Sequence, residues 1–256
     1  METSQLHVIM DITAFCWFIA CWVGYTYFAK HAAKTRDSLS SVLYNFRKEW
    51  VQKLSINGMS EVDAELLASL EKQVSFFAST SLLIIASLLT VLSTAGEVFN
   101  NIARLSFVSV ATIEMVQMKL ALLIVIFTYG FFTFTWSIRQ YGFCFILFGS
   151  SFHTVKYYKE APDYRAMTQE RDFSEMAKVL DRAAHSYNYG VRAYYFALAA
   201  LAWFINSWMF MIACGLTLMV LYRREFKSST LNALVTSRLP IKPEKIDPAV
   251  IDKDAA

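Results

Sequence analysis

Three carboxylate side chains are the first candidates for chemistry in this chain. Asp11 lies near the start of an apolar run, and Glu97 and Glu114 flank a segment with two adjacent asparagines. Grouped carboxylates bind cations, and the thioethers of neighbouring methionines would favour Cu(I). These three residues form a candidate cation cluster. The alternative interpretation is that the acids are solvated helix ends.

A face of small, weakly polar residues is the second candidate. Ser75, Ser79, Ala86, Thr90 and Ser93 recur at spacings that place them on one side of a helix. Such a face would line a pore or a substrate path. The alternative is close packing of helices, which small side chains permit.

One polar side chain stands deep inside an apolar stretch. Asn206 lies between Trp203 and Trp208, in a run of thirty residues without a charge (193–222). A buried amide needs a hydrogen-bond partner, so we expect Asn206 to face another helix or a cavity. It is interpreted either as a structural contact or as a contact to a ligand or an ion.

Arginine and tyrosine meet at the ends of two apolar segments. Arg139 follows one of them, and Arg192 precedes another together with Tyr194 and Tyr195. This combination is typical of anchoring at a membrane–water interface. The alternative function is contact with anionic lipid headgroups or with a phosphate ligand.

Enzyme signatures are not found in the sequence. It contains no Walker loop, GxGxxG, HExxH, GxSxG or EF-hand pattern, and its four histidines are far apart. The four cysteines lie singly in apolar stretches, which is typical of buried thiols. We therefore expect no enzymatic activity, no cofactor and no metal. The net charge of +3 is too small to indicate a nucleic-acid partner.

The composition explains what must position these residues. The chain is 56% hydrophobic and only 18% charged, against about 25% charged in soluble domains. A bilayer is crossed by about 20 mostly apolar residues in a helix. Four segments meet that requirement, so we predict an all-α integral membrane protein with about four transmembrane helices: 8–29, 74–95, 120–138 and 193–222.

The segments between the predicted spans carry helical periodicity of their own. Apolar residues recur every three or four positions in 39–54 and 173–187, and Ser60 with Asp63 indicates a capping box. We predict a short outer N-terminus (1–7) and a transmembrane bundle (8–235) with cytoplasmic helical extensions (30–73 and 139–190). A flexible tail (236–256) follows.

Basic residues set the predicted orientation. Lys and Arg concentrate in the two extensions, which places both in the cytoplasm and the cation cluster outside. The basic C-terminal tail conflicts with four spans, and a fifth span at 141–157 would resolve that conflict. Four spans are preferred because a turn at 137–140 would be very tight. The side of the tail stays open.

A resemblance to a known family rests on particular strings. The segment GVRAYYFA at 190–197, followed by Trp203 and Phe204, resembles a motif of the bacterial and plant membrane family catalogued as domain-of-unknown-function 599. Asp11, Trp17 and Trp22, and the Ser-Ile-Arg string at 137–139, are similar to the same pattern. The resemblance covers residues 10 to about 235. It implies a multi-helix membrane protein without an assigned catalytic role, and it supplies no active-site residues.

Taken together, the sequence predicts a multi-pass protein of a bacterial inner membrane. The favoured function is a non-enzymatic structural or accessory subunit in contact with the lipid bilayer. It would act as a homo-oligomer or within another membrane complex. The alternative is a small channel or transporter for an ion or small solute.

Overall fold

The computed structural model describes residues 2–32, 36, 38–57, 59–97, 112–157 and 162–237. All regular structure within these ranges is helical. One 3-10 turn, Ala202–Phe204, lies between the last two long helices. The α-helices are α1 (Glu2–Ala32), α2 (Leu39–Asn57), α3 (Glu61–Ser93), α4 (Ile113–Tyr157), α5 (Pro162–Leu201), α6 (Ser207–Phe226) and α7 (Ser229–Thr236).

Three of these helices are long and apolar enough to cross a membrane. The spans are Val8–Ala29 within α1, Glu61–Ser93, which is all of α3, and Ile113–Gly149 within α4. Their outward side chains are large and apolar: Phe76 is 67% exposed, Leu83 69% and Phe132 64%. Water-soluble proteins rarely leave such continuous apolar surface uncovered. The first three predicted spans are confirmed as helices, and they indicate a membrane protein.

Helix α4 is one uninterrupted helix of 45 residues. It continues through 137–140, so the turn that a fifth span required is absent there and that alternative is wrong. At this level the Ser137 hydroxyl donates a buried hydrogen bond of 2.7 Å to the carbonyl oxygen of Ala183 in α5. At 1.5 Å per residue α4 is about 68 Å long, more than twice the hydrocarbon thickness.

The fourth apolar segment is broken, and the prediction of one continuous helix over 193–222 was wrong. Helix α5 ends at Leu201, the 3-10 turn follows, and Asn206 is extended (φ −162°, ψ 145°) before α6 begins. The Asn206 side-chain oxygen accepts a 3.0 Å hydrogen bond from the backbone N–H of Trp208. Asn206 therefore caps α6, because a helix start leaves backbone donors to satisfy. Among the described helices, it does not bridge to a second one.

Two apolar cores hold the described helices together. The first core joins α1, α4, α6 and the end of α5 around Phe18, Phe196 and Phe210. The second joins α2, α3, α4 and α5 around Leu67 and Leu180. Part of the amphipathic stripes predicted in the extensions is buried in the second core, which confirms these residues as packing positions: Leu54, Met176, Leu180 and Ala183. Their position on the cytoplasmic side stays a prediction, and residues 238–256 of the predicted tail lie outside the described residues.

Helix α5 packs tightly against a side chain of α4 at Gly190. A Cβ atom at this position would lie only 2.4 Å from Cε1 of Phe134 on α4. The Phe134 ring is fully buried and stacks on Phe77 of α3, with the two ring centres 5.5 Å apart. Glycine is therefore required at position 190, because the ring occupies the space of any side chain.

The predicted capping box at the start of α3 is confirmed. The Ser60 hydroxyl accepts from the backbone N–H of Asp63 at 3.2 Å, and Asp63 accepts from the backbone N–H of Ser60 at 3.1 Å. The other Asp63 oxygen accepts a 2.8 Å hydrogen bond from the Trp50 indole of α2. One carboxylate thus both caps α3 and joins it to α2.

Replacing Asp63 with alanine should lower the free energy of unfolding by about 1–2 kcal/mol, since the cap and the indole contact are lost together. Glu65→Ala is the matched control, because Glu65 is an exposed acid in the same helix. Unfolding of both variants is measured in detergent. Equal losses in the two variants would contradict the double role of Asp63.

Candidate functional site

A buried polar network forms at the break between α5 and α6. The Asp11 carboxylate of α1 is 6% exposed. It accepts a 2.8 Å hydrogen bond from the indole N–H of Trp203, and a second one from the Ser207 hydroxyl. The acid that the sequence assigned to an outer cluster therefore lies inside the bundle, bound to the helix break.

A lysine completes this network from the opposite side. Lys119 of α4 is 2% exposed, and its ammonium donates a 2.9 Å hydrogen bond to the carbonyl oxygen of Trp203. The same ammonium lies 5.3 Å from the centre of the Trp203 ring. The interrupted helix leaves that carbonyl available to the ammonium. Trp203 therefore contacts a carboxylate through its indole N–H and an ammonium through its carbonyl oxygen. We call Asp11, Lys119, Trp203 and Ser207 the Trp203 network.

Sequence reasoning missed Lys119, although a signal was present. Lys119 stands just before the third apolar segment, and Asp11 is the only charge in the first. Both lie a few residues from the same predicted end of their spans. Opposite charges at matching depth in a membrane tend to compensate each other, which would have indicated the pairing.

The candidate cation cluster is not assembled as one group. Glu97 and Glu114 are exposed, whereas Asp11 belongs to the Trp203 network. Among the residues that the structure describes, no three His, Cys, Asp or Glu side chains lie close enough to hold a metal ion.

The small polar face of α3 points away from the rest of the chain. Ser79, Ala86, Thr90 and Ser93 are exposed, and Ser75 is half-buried. The hydroxyls of Thr90 and Ser93 bond to carbonyl oxygens of their own helix. Among the described residues of one chain, this face neither lines an internal path nor packs in the core. The buried face of α3 carries a different set: Leu67, Val74, Ala78 and Ser81.

The four predicted headgroup contacts do not form one group, and two of them, Tyr194 and Arg139, lie apart from the other two. The Tyr194 hydroxyl lies 3.0 Å from the Ser81 hydroxyl and donates to the carbonyl oxygen of Phe77 at 3.2 Å. Tyr194 therefore joins α5 to α3 in the second core. Arg139 is exposed on α4.

The other two, Arg192 and Tyr195, line a cavity of about 260 Å³ at which helices α1 to α6 converge. Three guanidinium groups and one carboxylate face it, and a second carboxylate, Asp181, pairs with Arg47, so one positive charge remains in excess. We call it the basic cleft. Its polar lining consists of Tyr25, Ser40, Arg47, Gln73, Tyr141, Tyr187, Asn188, Arg192, Tyr195, Arg224 and Glu225.

Arg192 is held in the basic cleft by aromatic rings. Its guanidinium carbon lies 5.2 Å from the ring centre of Tyr25 and 5.5 Å from that of Tyr189. A guanidinium nitrogen is 4.0 Å from a carboxylate oxygen of Glu225, which is longer than a hydrogen bond. The oxygen Oε1 of Glu225 accepts instead from the backbone N–H of Ser40 at 3.2 Å.

The two other arginines enter the basic cleft from different helices. Arg47 of α2 pairs with Asp181 of α5 at 2.7 Å. Arg224 of α6 donates a hydrogen bond to the Tyr195 hydroxyl. Burial raises the pKa of Tyr187, against the opposing effect of Arg224. The Tyr187 phenol therefore keeps its proton at neutral pH and is available as a hydrogen-bond donor.

Comparison with known proteins gives one match. The family described as "Protein of unknown function, DUF599" matches residues 13–230. No curated protein and no solved structure matches the chain.

Proposed function

We propose a non-enzymatic structural or accessory role for this chain, which belongs to the DUF599 family of proteins of unknown function. The chain would act as a multi-pass protein of a bacterial inner membrane, as an oligomer or as part of a larger membrane complex. The observation that carries this proposal is the Trp203 network.

The two charged side chains of the Trp203 network form contacts between helices. Ionisable side chains inside a membrane mark functional sites by default, because their burial is expensive. Here Asp11 of α1 and Lys119 of α4 both bind Trp203, and so connect the two spans to the α5–α6 break. Among the described residues, no buried side-chain nitrogen or oxygen lacks a hydrogen-bond partner. This arrangement supports a stabilising role for these groups.

The exposed small face of α3 supports assembly. Ala86, Thr90 and Ser93 are exposed in a helix that is apolar enough to span a membrane. Small residues let helix backbones approach closely, and such contacts drive association within lipid. A second copy or another membrane protein would pack against this face.

The first test is the mass of the protein extracted from native membranes in mild detergent. We expect a species larger than one chain, with partners at fixed ratio if the chain is an accessory subunit. Ala86→Leu should weaken association about tenfold, or about 1.4 kcal/mol, because the larger side chain keeps the helix backbones apart. Ser87→Leu is the control, because Ser87 is exposed beside the face. A wild-type chain of monomeric mass would contradict the proposal.

A channel or transporter is the second candidate function, favoured by the break between α5 and α6. Transport sites are often built where a membrane helix is interrupted near ionisable side chains. Asn206 caps the interrupted helix, and Asp11 lies beside the break.

Asn206→Leu separates the two functions. A transport role predicts that the flux of potassium or protons in proteoliposomes is lost while the assembled mass is unchanged. A structural role predicts no such flux in the wild type. The variant should then lower stability by about 1 kcal/mol, the usual contribution of a helix cap.

A further inference from the structure

An apolar groove runs along the outside of the bundle between α1 and α6. Its volume is about 500 Å³. Trp17, Gly24 and Phe28 line it from α1, and Leu218 and Met219 line it from α6. Because α1 carries the span Val8–Ala29, this groove faces the region that lipid chains would occupy.

The groove and the basic cleft share one wall. Tyr25 lines both of them, and its ring also holds the guanidinium of Arg192. On α6, Leu221 lines the basic cleft and its neighbour Tyr222 lines the groove. The basic cleft thus adjoins the apolar groove, and the Tyr25 side chain lies between them.

We propose that the basic cleft and the apolar groove together bind one anionic phospholipid. The phosphate group lies among Arg192, Arg224 and Arg47, and an acyl chain lies along α1 and α6. Guanidinium groups recognise phosphate through paired, charge-assisted hydrogen bonds. The protonated Tyr187 phenol supplies a further donor on the same side.

The charge balance selects an anionic headgroup. Three arginines line the basic cleft, and Glu225 together with Asp181, the partner of Arg47, offsets only two of these charges. A zwitterionic lipid would place the cationic group of its headgroup near these arginines, where like charges repel. Basic pockets between membrane helices bind anionic headgroups for this reason.

The apolar groove distinguishes a lipid from a free anion. Inorganic phosphate would satisfy the arginines alone and would leave the groove without a function. A phospholipid uses both regions, so substitutions in either region should weaken its binding.

The test is lipid binding by the purified full chain in nanodiscs and by native mass spectrometry. The discs contain phosphatidylcholine alone or phosphatidylcholine with phosphatidylglycerol. We expect phosphatidylglycerol to be retained on the protein in preference to phosphatidylcholine. Arg192→Gln should weaken that retention about tenfold, the value of one charge-assisted hydrogen bond. Arg182→Gln is the control, because Arg182 is exposed on the same helix and outside the basic cleft.

The groove is tested separately by Gly24→Leu. A Cβ atom at Gly24 meets no heavy atom within 4 Å, so a leucine side chain can extend from this position into the groove. Gly149→Leu on α4 is the matched control, since a Cβ atom there also meets nothing within 4 Å. Loss of phosphatidylglycerol in the Gly24 variant and its retention in the control would support the lipid site.

Two outcomes would overturn the proposal. Equal retention of phosphatidylcholine and phosphatidylglycerol would show that the basic cleft does not select charge. Binding of inorganic phosphate that is lost in Arg192→Gln but unchanged in Gly24→Leu would assign the basic cleft to a free anion. Thermal unfolding of each variant identifies a misfolded protein, and Arg224→Gln provides a second substitution in the basic cleft if Arg192→Gln does not fold.

Discussion

Replacing Lys119 with methionine should lower the free energy of unfolding by about 3 kcal/mol, because a buried carbonyl oxygen is left without its charged donor. Methionine keeps the length of the side chain but removes the ammonium, so the Trp203 carbonyl loses its partner. Unfolding of the purified protein in detergent measures the loss. Lys72→Met is the control, because Lys72 is an exposed cation on α3.

A double variant tests whether the two charges act together. Adding Asp11→Asn to the Lys119→Met variant removes the carboxylate as well as the ammonium, so that neither charge of the Trp203 network remains. The double variant should therefore be more stable than the sum of the single losses predicts. Strictly additive losses would mean that Asp11 and Lys119 stabilise the bundle independently.

The second large effect is expected at Gly190. Alanine at this position should destabilise the protein by about 1–3 kcal/mol, because its methyl group would overlap the buried Phe134 ring. The ring has little freedom to move, since Phe77, Tyr187 and Tyr194 surround it. The measurement is the unfolding midpoint in detergent.

Two further variants make the Gly190 result specific. Gly142→Ala in α4 is the control, since a Cβ atom there meets nothing within 4 Å and alanine favours the helix. Phe134→Leu in the Gly190→Ala background should recover part of the loss, because the smaller side chain makes room for the methyl group. Equal stability of Gly190→Ala and Gly142→Ala would exclude the close contact.

Features that depend on local sequence were predicted well. Hydropathy located the first three spans, and the Ser60–Asp63 spacing identified the helix start at α3. The amphipathic stripes in the extensions could be predicted because periodicity along a helix is a local property of the sequence. The continuous course of α4 also followed from the difficulty of turning within four residues.

Features that depend on distant contacts were not predicted. The α5–α6 break lies in an apolar run whose hydropathy resembles that of an unbroken span. Contacts of Trp203 with Asp11 and Lys119, which are remote in sequence, accompany this break. Hydropathy contains no information about such contacts.

The basic cleft was not predicted as a cavity, and only two of its residues, Arg192 and Tyr195, were among the predicted headgroup contacts. Tyr194 and Tyr195 are adjacent in sequence, but adjacent helical residues point about 100° apart. Tyr194 therefore enters the second core, whereas Tyr195 faces the basic cleft. Arg47, Arg224 and Glu225 reach the same cavity from α2 and α6, and only the packing of those helices brings them to Arg192.

The break at 202–206 also has a mechanical consequence. Helix α6 has 20 residues and is about 30 Å long, and it begins beside the break at Asn206. A tilt of about 10° at Asn206 would move its far end by about 5 Å. Arg224 and Glu225 stand at that far end, whereas Arg192 stands on α5. A small rotation beside the Trp203 network would therefore change the width of the basic cleft at the other end of α6, as a lever arm does.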